Sequence, residues 1–396
     1  SEPISAEAAG MRLPDYGGGS ILNLMRSVAE ACGAAVPYAP LAGFDAGALA
    51  EARNIVLFVA DGLGWRYLQS SAAGAALRAH AVGPMTSVFP STTASAITCF
   101  MTGLAPRAHG LTGWHMYFAE LERILAVLPL SSRDPGLPPL AAETLPARLF
   151  GHAALTARMA RPAFVVSPAD IAGSPFNRFH SAGAQTLAYQ RLDDLVETVA
   201  AVAAQPGGPR YIYAYYGGLD HVAHQKGIAS AEAAARLAAV DLAFARLTER
   251  LRGTDSALLL TADHGFIDAP PERLIELERH PELARMLARP LCGERRVAYC
   301  YVRPERRGDF EDYVRRELAQ AAVLHRSEDL IAQGWFGPGE THPRLAWRIG
   351  DYLLVMREDW TICDWLPGER RHTLIGVHGG TSADEMQVPL VFARVH

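Results

Sequence analysis

The chain has 396 residues, of which 49% are hydrophobic, so it can bury one large core with an added elaboration. Its net charge of −5 gives no reason to expect a nucleic-acid polymer or an acidic membrane surface as partner. No apolar run reaches about 18 residues, which argues against a membrane-spanning helix.

The first third of the chain alternates predicted helices with one strongly apolar strand. A triple glycine precedes the first helix, and Thr102-Gly103 ends the last one, since glycine commonly terminates helices. The predicted elements are a helix at about Leu22–Ala31, a strand at Asn54–Ala60, a helix-like stretch at about Trp65–Arg78 and a helix at Ala94–Met101.

The middle of the chain begins with a proline-rich segment, Trp114–Ser181, in which we predict one strand at Ala163–Ser167. Clearer periodicity follows, with strands and amphipathic helices in alternation, which is typical of an α/β fold with a mostly parallel sheet flanked by helices. These elements are helices at about Gln185–Ala204 and Ser230–Arg252 and strands at Tyr211–Tyr216 and Ala257–Thr261.

The pattern changes after Asp263-His264-Gly265 and resumes at Thr373–Val377 before an apolar stretch at Val388–Ala393. Between them we predict strands near Arg296–Val302 and Asp351–Met356 and helices near Glu272–Leu287 and Phe310–Leu318. We therefore predict a core of residues 1–269 and 371–396 with a smaller α+β cap, residues 270–370, inserted into it.

Chemically reactive side chains follow the ends of the predicted strands, where an open parallel sheet binds its ligands. They are Asp61, Thr92-Thr93, Asp220 with His224, Asp263-His264, and His378. Asp220 and His224 are four residues apart and would share one helical face. Each residue taken alone has an ordinary alternative, such as a helix cap, a surface contact or a loop histidine.

Together, however, these strand ends supply enough ligands for two metal ions. Three histidines and three carboxylates favour Zn²⁺, with Mn²⁺ and Fe²⁺ left open. Two metals about 4 Å apart would bind the attacking and leaving oxygens of an in-line displacement at phosphorus. A threonine hydroxyl held there would serve as the nucleophile.

The ordered motifs resemble the alkaline phosphatase superfamily and, within it, the type I phosphodiesterase/nucleotide pyrophosphatase family. The resemblance spans about residues 54–380. The matching segments are Asp61-Gly62, Phe89-Pro90-Ser91-Thr92-Thr93, Thr102-Gly103, His109-Gly110, Leu219-Asp220 through His224, Thr261 through Gly265, and His378-Gly379-Gly380.

This resemblance implies an alkaline-phosphatase-like core that hydrolyses phosphate diesters through a phospho-threonine intermediate. It implies one metal on Asp220, His224 and His378, and a second on Asp61, Asp263, His264 and the nucleophile. The family's nucleophile lies ten residues before the glycine of the Thr-Gly motif, which selects Thr93 rather than Thr92.

The departures from related families are also informative. Sulfatases of the superfamily carry Pro and Arg two and four residues after their nucleophile, where this chain has Ser95 and Ile97, so a sulfatase is disfavoured. Nucleotide pyrophosphatases carry an asparagine where this chain has Trp114. We expect Trp114 or His115 to contact the substrate in its place, and the alternative is that Trp114 simply packs under the cap.

Other functions remain open on the same residues. One is a phosphomonoesterase, for which Lys226 and Arg107 are the nearest candidates for a phosphate clamp. Others are a phosphonate hydrolase, a phosphotransferase and a non-catalytic metal-stabilised binding protein. In the enzymes the partner would be a small phosphate ester, and the sequence does not indicate an oligomeric state.

Cysteine usage predicts a reducing compartment. The five cysteines are odd in number and form no CxxC pair, and Cys99 lies in an apolar run. Ser1–Arg12 contains no basic region followed by an apolar one, so no signal peptide is predicted. We therefore expect a cytoplasmic protein, or a periplasmic one if a leader has been trimmed.

Overall fold

The computed structural model describes residues 10–396, and most of Ser1–Arg12 therefore lies outside the described residues. A central sheet of seven strands is present in this part of the chain. One strand, Gln387–Val395, is antiparallel to both of its neighbours, and the remaining pairs are parallel. In spatial order the strands are Ala81–Thr86, Gln387–Val395, Ser256–Thr261, Asn54–Ala60, Arg210–Tyr216, Ala163–Pro168 and Ala184–Tyr189.

The strands at the centre of the sheet agree with the prediction because they are buried along their length. All seven residues of Asn54–Ala60 are buried, as are all six of Ser256–Thr261. A strand covered on both faces has a continuous apolar sequence rather than an alternating one. Such a sequence is readily recognised, and the predicted mostly parallel α/β core is confirmed.

Helices flank this sheet. Ile21–Ala31 contacts Thr93–Thr102, and Leu192–Ala204 contacts Ala231–Arg250. The other α-helices of the described chain are Ala46–Glu51, Trp65–Ser70, Ala75–Ala79, Pro106–His109, Leu145–Leu149, Ala169–Ala172, Pro175–His180, Gly218–Lys226, Pro281–Met286, Arg307–Glu317, Ser327–Ala332, Leu345–Ile349 and Ala383–Met386. The 3₁₀ helices are Ala142–Thr144, Leu155–Arg158, Pro271–Arg273, Leu277–Arg279 and Pro304–Arg306.

Among the described residues we find no helix with both the length and the apolar character needed to cross a bilayer.

Three predicted helices are wrong in extent. The one at Gln185–Ala204 begins only at Leu192, because Ala184–Tyr189 is an edge strand paired with Ala163–Pro168. The stretch Trp65–Arg78 is two short helices separated at residues 71–74. The helix predicted at Glu272–Leu287 is confined to Pro281–Met286, because proline is tolerated at a helix start but not in its interior.

A second sheet, antiparallel throughout, lies beside the first. Its strands are, in order, Ala322–Arg326, Tyr352–Met356, Val297–Cys300, Cys292–Gly293, His115–Phe118, Arg123–Ala126 and Ser131–Ser132. Only Tyr352–Met356 and Val297–Cys300 were predicted as strands, and the last three come from outside residues 270–370. The cap boundary at 270–370 stays a prediction, but this sheet is shared between it and residues 115–132. Two small ribbons complete the strands: Ile267–Asp268 with Gly376–Val377, and Leu274–Glu276 with Thr361–Cys363.

A buried ion pair ties the second sheet to the segment after His378. Nε of Arg296 lies 2.9 Å from Oε1 of Glu385, and Nη2 lies 3.0 Å from Oε2. The two side chains are 1% and 0% exposed. Glu385 also accepts a hydrogen bond from the backbone N–H of Gly380.

We expect Glu385→Ala to lower the free energy of unfolding by about 3–5 kcal/mol, because it leaves a buried guanidinium without its partner. The double variant Arg296→Met, Glu385→Leu should lose less, since no unpaired charge is then buried. Denaturant unfolding measures both values. Equal losses in the single and double variants would show that the unpaired charge is not the cause.

Candidate active site

The site is built where three neighbouring parallel strands end. Val59 pairs with Thr261 and Ala60 pairs with Tyr216, so these strands finish at the same level. The chain segments that continue from them therefore meet at one edge of the sheet, outside the carboxyl ends of the strands. They carry Asp61, the helix with Asp220 and His224, and the loop with Asp263 and His264.

One cluster contains Asp220, His224 and His378. Nε2 of His224 lies 3.4 Å from Oδ1 of Asp220 and 3.3 Å from Nε2 of His378. Nε2 of His378 lies 3.6 Å from the same Asp220 oxygen. Asp220 and His224 meet because they lie one turn apart on the helix Gly218–Lys226.

The second cluster surrounds His264. Its Nε2 lies 3.2 Å from Oδ1 of Asp61, 3.3 Å from Oδ2 of Asp263 and 3.1 Å from Oγ1 of Thr93. It also lies 3.7 Å from Oδ1 of Asp220, so the two clusters adjoin. The structure thus brings together all seven residues that the sequence suggests as metal ligands.

Two glycines permit these close approaches. Gly62 has φ 88°, and a Cβ there would lie 3.3 Å from Cα of Asp220 and 2.6 Å from the Phe266 ring. At Gly265 a Cβ would lie 1.8 Å from the carbonyl oxygen of Asp384, so no side chain fits. The turn that lets the adjacent residues Asp263 and His264 reach one centre therefore requires glycine.

The ring orientation of all three histidines is set by backbone carbonyls. Nδ1 of His224 bonds to the carbonyl oxygen of Gly376, that of His264 to Gly265, and that of His378 to Ser91. A carbonyl oxygen only accepts, so each Nδ1 donates a proton to it and each ring turns its Nε2 into the site. This is the arrangement found in metal-ligating histidines.

The carboxylates fit metal binding as well. Oδ1 of Asp61, Oδ1 of Asp220 and Oδ2 of Asp263 are buried and have no hydrogen-bond partner among the described residues. Other oxygens are anchored: Tyr215 donates its hydroxyl to Oδ2 of Asp61, and the backbone N–H of Gly62 donates to Oδ1 of Asp263. Buried anionic oxygens without partners are unfavourable, and divalent cations would satisfy them.

Burial and mutual repulsion both act on these acids. Burial, followed by the charge of Asp220, raises the pKa of Asp61 well above its ordinary value. Burial, followed by the charge of Asp61, does the same to the pKa of Asp263. Positive charge placed between them would reverse both effects, which favours a cation site.

The two adjacent threonines point to different partners. Thr93 is the first residue of the helix Thr93–Thr102 and has its hydroxyl at His264. The Thr92 hydroxyl instead donates to Oε1 of Glu294 at 2.5 Å. Only Thr93 therefore presents its oxygen to the ligand clusters.

Glu294 and Tyr215 belong to the site although the sequence did not suggest them. Glu294 lies between two strands of the second sheet, and its Oε1 also accepts from the backbone N–H of Trp114 at 2.9 Å. Burial raises the pKa of Glu294 to about 7, although both hydrogen bonds act to lower it. No sequence motif marks either residue, because each reaches the site only through tertiary packing.

A cavity of about 420 Å³ opens onto the clusters and is lined by residues of both sheets. Trp114 and His115, the predicted substrate contacts, line it, and Trp114 is 42% exposed. Burial lowers the pKa of His115 to about 3, so this ring is neutral and supplies no positive charge. Lys226 is absent from the lining, and Arg107 is bonded to Thr341 and Gly337 elsewhere.

Known proteins resemble this chain in family and in fold. The family model described as type I phosphodiesterase/nucleotide pyrophosphatase matches residues 55–381. Murine ectonucleotide pyrophosphatase/phosphodiesterase 5, an inactive threonine-to-alanine variant in complex with AMP, has a TM-score of 0.65 and 18% identity, covering 85% of this chain and 87% of that chain.

Two further solved structures share the fold. The human ectonucleotide pyrophosphatase/phosphodiesterase 5 has a TM-score of 0.61 and 17% identity, covering 85% of this chain and 87% of that chain. Phosphonoacetate hydrolase from Sinorhizobium meliloti 1021, in complex with phosphonoacetate, has a TM-score of 0.63 and 15% identity, with coverage of 87% and 91%. No curated protein sequence matches the chain.

The family match begins in strand Asn54–Ala60 and ends just after His378, so it includes every residue of the two clusters. Metal dependence is typical of this family, in agreement with the groups of side chains that could hold a metal ion in the structure. The chain belongs to the type I phosphodiesterase/nucleotide pyrophosphatase family, and with it to the metal-dependent hydrolases of phosphoric esters that have an alkaline-phosphatase-like fold.

Proposed function

We propose that this protein hydrolyses phosphate diesters with Thr93 as nucleophile and two divalent metal ions, most favourably zinc. The observation that carries the proposal is the position of the Thr93 hydroxyl, 3.1 Å from Nε2 of His264 and beside the unpartnered carboxylate oxygens. Ligands of mixed imidazole and carboxylate type suit Zn²⁺.

The residues divide into two ligand groups. Asp220, His224 and His378 would hold one ion, and Asp61, Asp263, His264 and Thr93 would hold the other. Two ions bound there would promote loss of the nucleophile's proton and stabilise charge on the leaving oxygen.

Thr93 is placed to attack. It begins a helix of ten residues, whose free N–H groups and dipole favour an anion at that end. In the first step a bond forms between Thr93 Oγ1 and phosphorus while the ester P–O bond breaks, and the alcohol leaves with a proton. In the second step water attacks phosphorus, the Thr93 oxygen leaves with a proton, and the phosphate monoester is released.

The comparisons support this assignment. The murine relative is described as an inactive threonine-to-alanine variant in complex with AMP, in accord with a threonine being required in such a site. Neither Lys226 nor Arg107, which the sequence offered for a monoester clamp, lines the cavity, and the two arginines that do, Arg133 and Arg295, are matched in charge by Asp364 and Glu369, which favours diesters. The phosphonoacetate complex of the bacterial neighbour makes a phosphonate hydrolase the second candidate.

The deciding experiment compares zinc-loaded protein on bis-p-nitrophenyl phosphate and p-nitrophenyl phosphate. We expect kcat/KM to favour the diester by at least tenfold, a difference of about 1.4 kcal/mol in transition-state stabilisation. Apoprotein prepared with a chelator serves as the control and should turn over neither substrate. A preference for the monoester would contradict the diesterase assignment.

A further inference from the structure

A carboxylate from the second sheet lies directly beside the nucleophile segment. Oε1 of Glu294 accepts hydrogen bonds from the Thr92 hydroxyl at 2.5 Å and from the backbone N–H of Trp114 at 2.9 Å. On the other side, a Cβ at Gly379 would lie 3.1 Å from Cβ of Glu294, so the loop after His378 packs against it. Glu294 is thus held in place between the segment with the nucleophile and the segment with a metal ligand.

The Glu294 carboxylate adds to an already acidic site. With Asp61, Asp220 and Asp263 it makes four carboxylates, and the three histidines are neutral when they serve as ligands. Two divalent cations would balance these four negative charges and leave no surplus positive charge.

The nearby cations do not offset Glu294. Arg133 lines the cavity but is paired with Asp364 at 2.8 Å and Glu369 at 3.0 Å. Arg295 also lines the cavity and donates to the backbone carbonyl of His372, but Asp364 and Glu369 line it too, and their two negative charges match the two positive charges of Arg133 and Arg295. Among the described residues, neither Thr92 nor Thr93 has a hydrogen bond from a lysine or an arginine.

We propose that Glu294 is a specificity-determining residue that excludes dianionic phosphoryl groups from the nucleophile and thereby selects monoanionic diesters. The proposal rests on the diesterase function proposed above and names the residue that sets its substrate class. A monoester carries one more negative charge than a diester above its second ionisation at about pH 6. That extra charge meets a carboxylate across a cavity of intermediate dielectric, where such pairs change binding on the order of tenfold.

The test is Glu294→Gln. Glutamine keeps an oxygen that can accept from Trp114 and Thr92 but removes the charge. At about pH 8.5, where both Glu294 and the monoester are ionised, we expect the diester-to-monoester ratio of kcat/KM to fall on the order of tenfold. Binding of inorganic phosphate to the zinc-loaded protein, measured by calorimetry, should tighten by a similar factor.

A matched control is Glu278→Gln. Glu278 lines a neighbouring cavity and pairs with Arg371 at 2.8 Å, but it does not line the cavity at Thr93. It should keep both the wild-type ratio and the wild-type phosphate affinity, which separates a local effect from one of net charge.

The outcomes distinguish this inference from the diesterase assignment. If the wild-type enzyme prefers the monoester, the diesterase function itself fails. If it prefers the diester, and Glu294→Gln leaves both the ratio and the phosphate affinity unchanged, the role of Glu294 is refuted. The phosphate measurement also decides the matter for a folded variant that has lost turnover.

Discussion

Thr93→Ala is expected to abolish turnover of activated diesters while both metal ions stay bound. Loss of a covalent nucleophile typically lowers kcat on the order of 10⁴-fold or more. The three histidines are held by backbone carbonyls, Asp61 by Tyr215 and Asp263 by the backbone N–H of Gly62, and none of these contacts involves Thr93. Steady-state kinetics and elemental analysis of the purified variant measure the two effects.

The neighbouring hydroxyl supplies the control for this variant. Thr92→Ala removes the hydrogen bond to Glu294 but leaves the Thr93 oxygen at His264, so its loss of rate should be far smaller. Thr93→Ser should retain partial activity, since it keeps a hydroxyl at the same place. Turnover retained in Thr93→Ala, or lost equally in Thr92→Ala, would refute the nucleophile assignment.

His264→Ala is expected to lose metal as well as rate. Its Nε2 is within 3.3 Å of both Asp61 and Asp263 and 3.7 Å from Asp220, so it lies where the two clusters adjoin. We expect the bound metal to fall below two ions per chain. The rate should fall on the order of a thousandfold, because several kcal/mol of charge stabilisation depend on the ion.

His221→Ala is the matched control for that experiment. His221 neighbours Asp220 on the same helix, but it is exposed and belongs to neither cluster. It should keep two ions and the wild-type rate. Because His264 is fully buried, thermal unfolding must first show that the His264→Ala variant is folded. A folded variant that keeps two ions and full activity would overturn the assignment of His264 as a metal ligand.

The parts of this fold that could be predicted are those where local sequence and final environment agree. Asn54–Ala60 is apolar at nearly every position because it is covered on both faces of the sheet. The helix with Asp220 and His224 could be anticipated because a spacing of four already places both side chains on one face. The family motifs then indicated which segments distant in sequence, those with Asp61, Asp263-His264 and His378, belong to the same site as this helix.

The failures occurred where the environment overrides local preference. Ala184–Tyr189 has helix-compatible residues, yet it pairs as an edge strand with Ala163–Pro168. The strands between residues 115 and 132 are short and carry no strong alternation, and their antiparallel sheet is completed by Cys292–Gly293, far along the chain. Short strands of this kind are stabilised by their neighbours, which a local pattern does not reveal.

By itself, then, the sequence determined the family and the class of fold and predicted the candidate metal ligands, because motif order and buried apolar strands are local properties. Only the tertiary structure put the Thr93 hydroxyl at His264 and the Thr92 hydroxyl at Glu294, and only it revealed that Glu294 lies beside the clusters. The physical reason is that packing between the two sheets sets the direction in which each threonine hydroxyl points, and the same packing brings the Glu294 carboxylate to the site from a distant part of the chain. Glu294 lies 202 residues after Thr92 in the chain, and only that packing brings the two side chains to 2.5 Å.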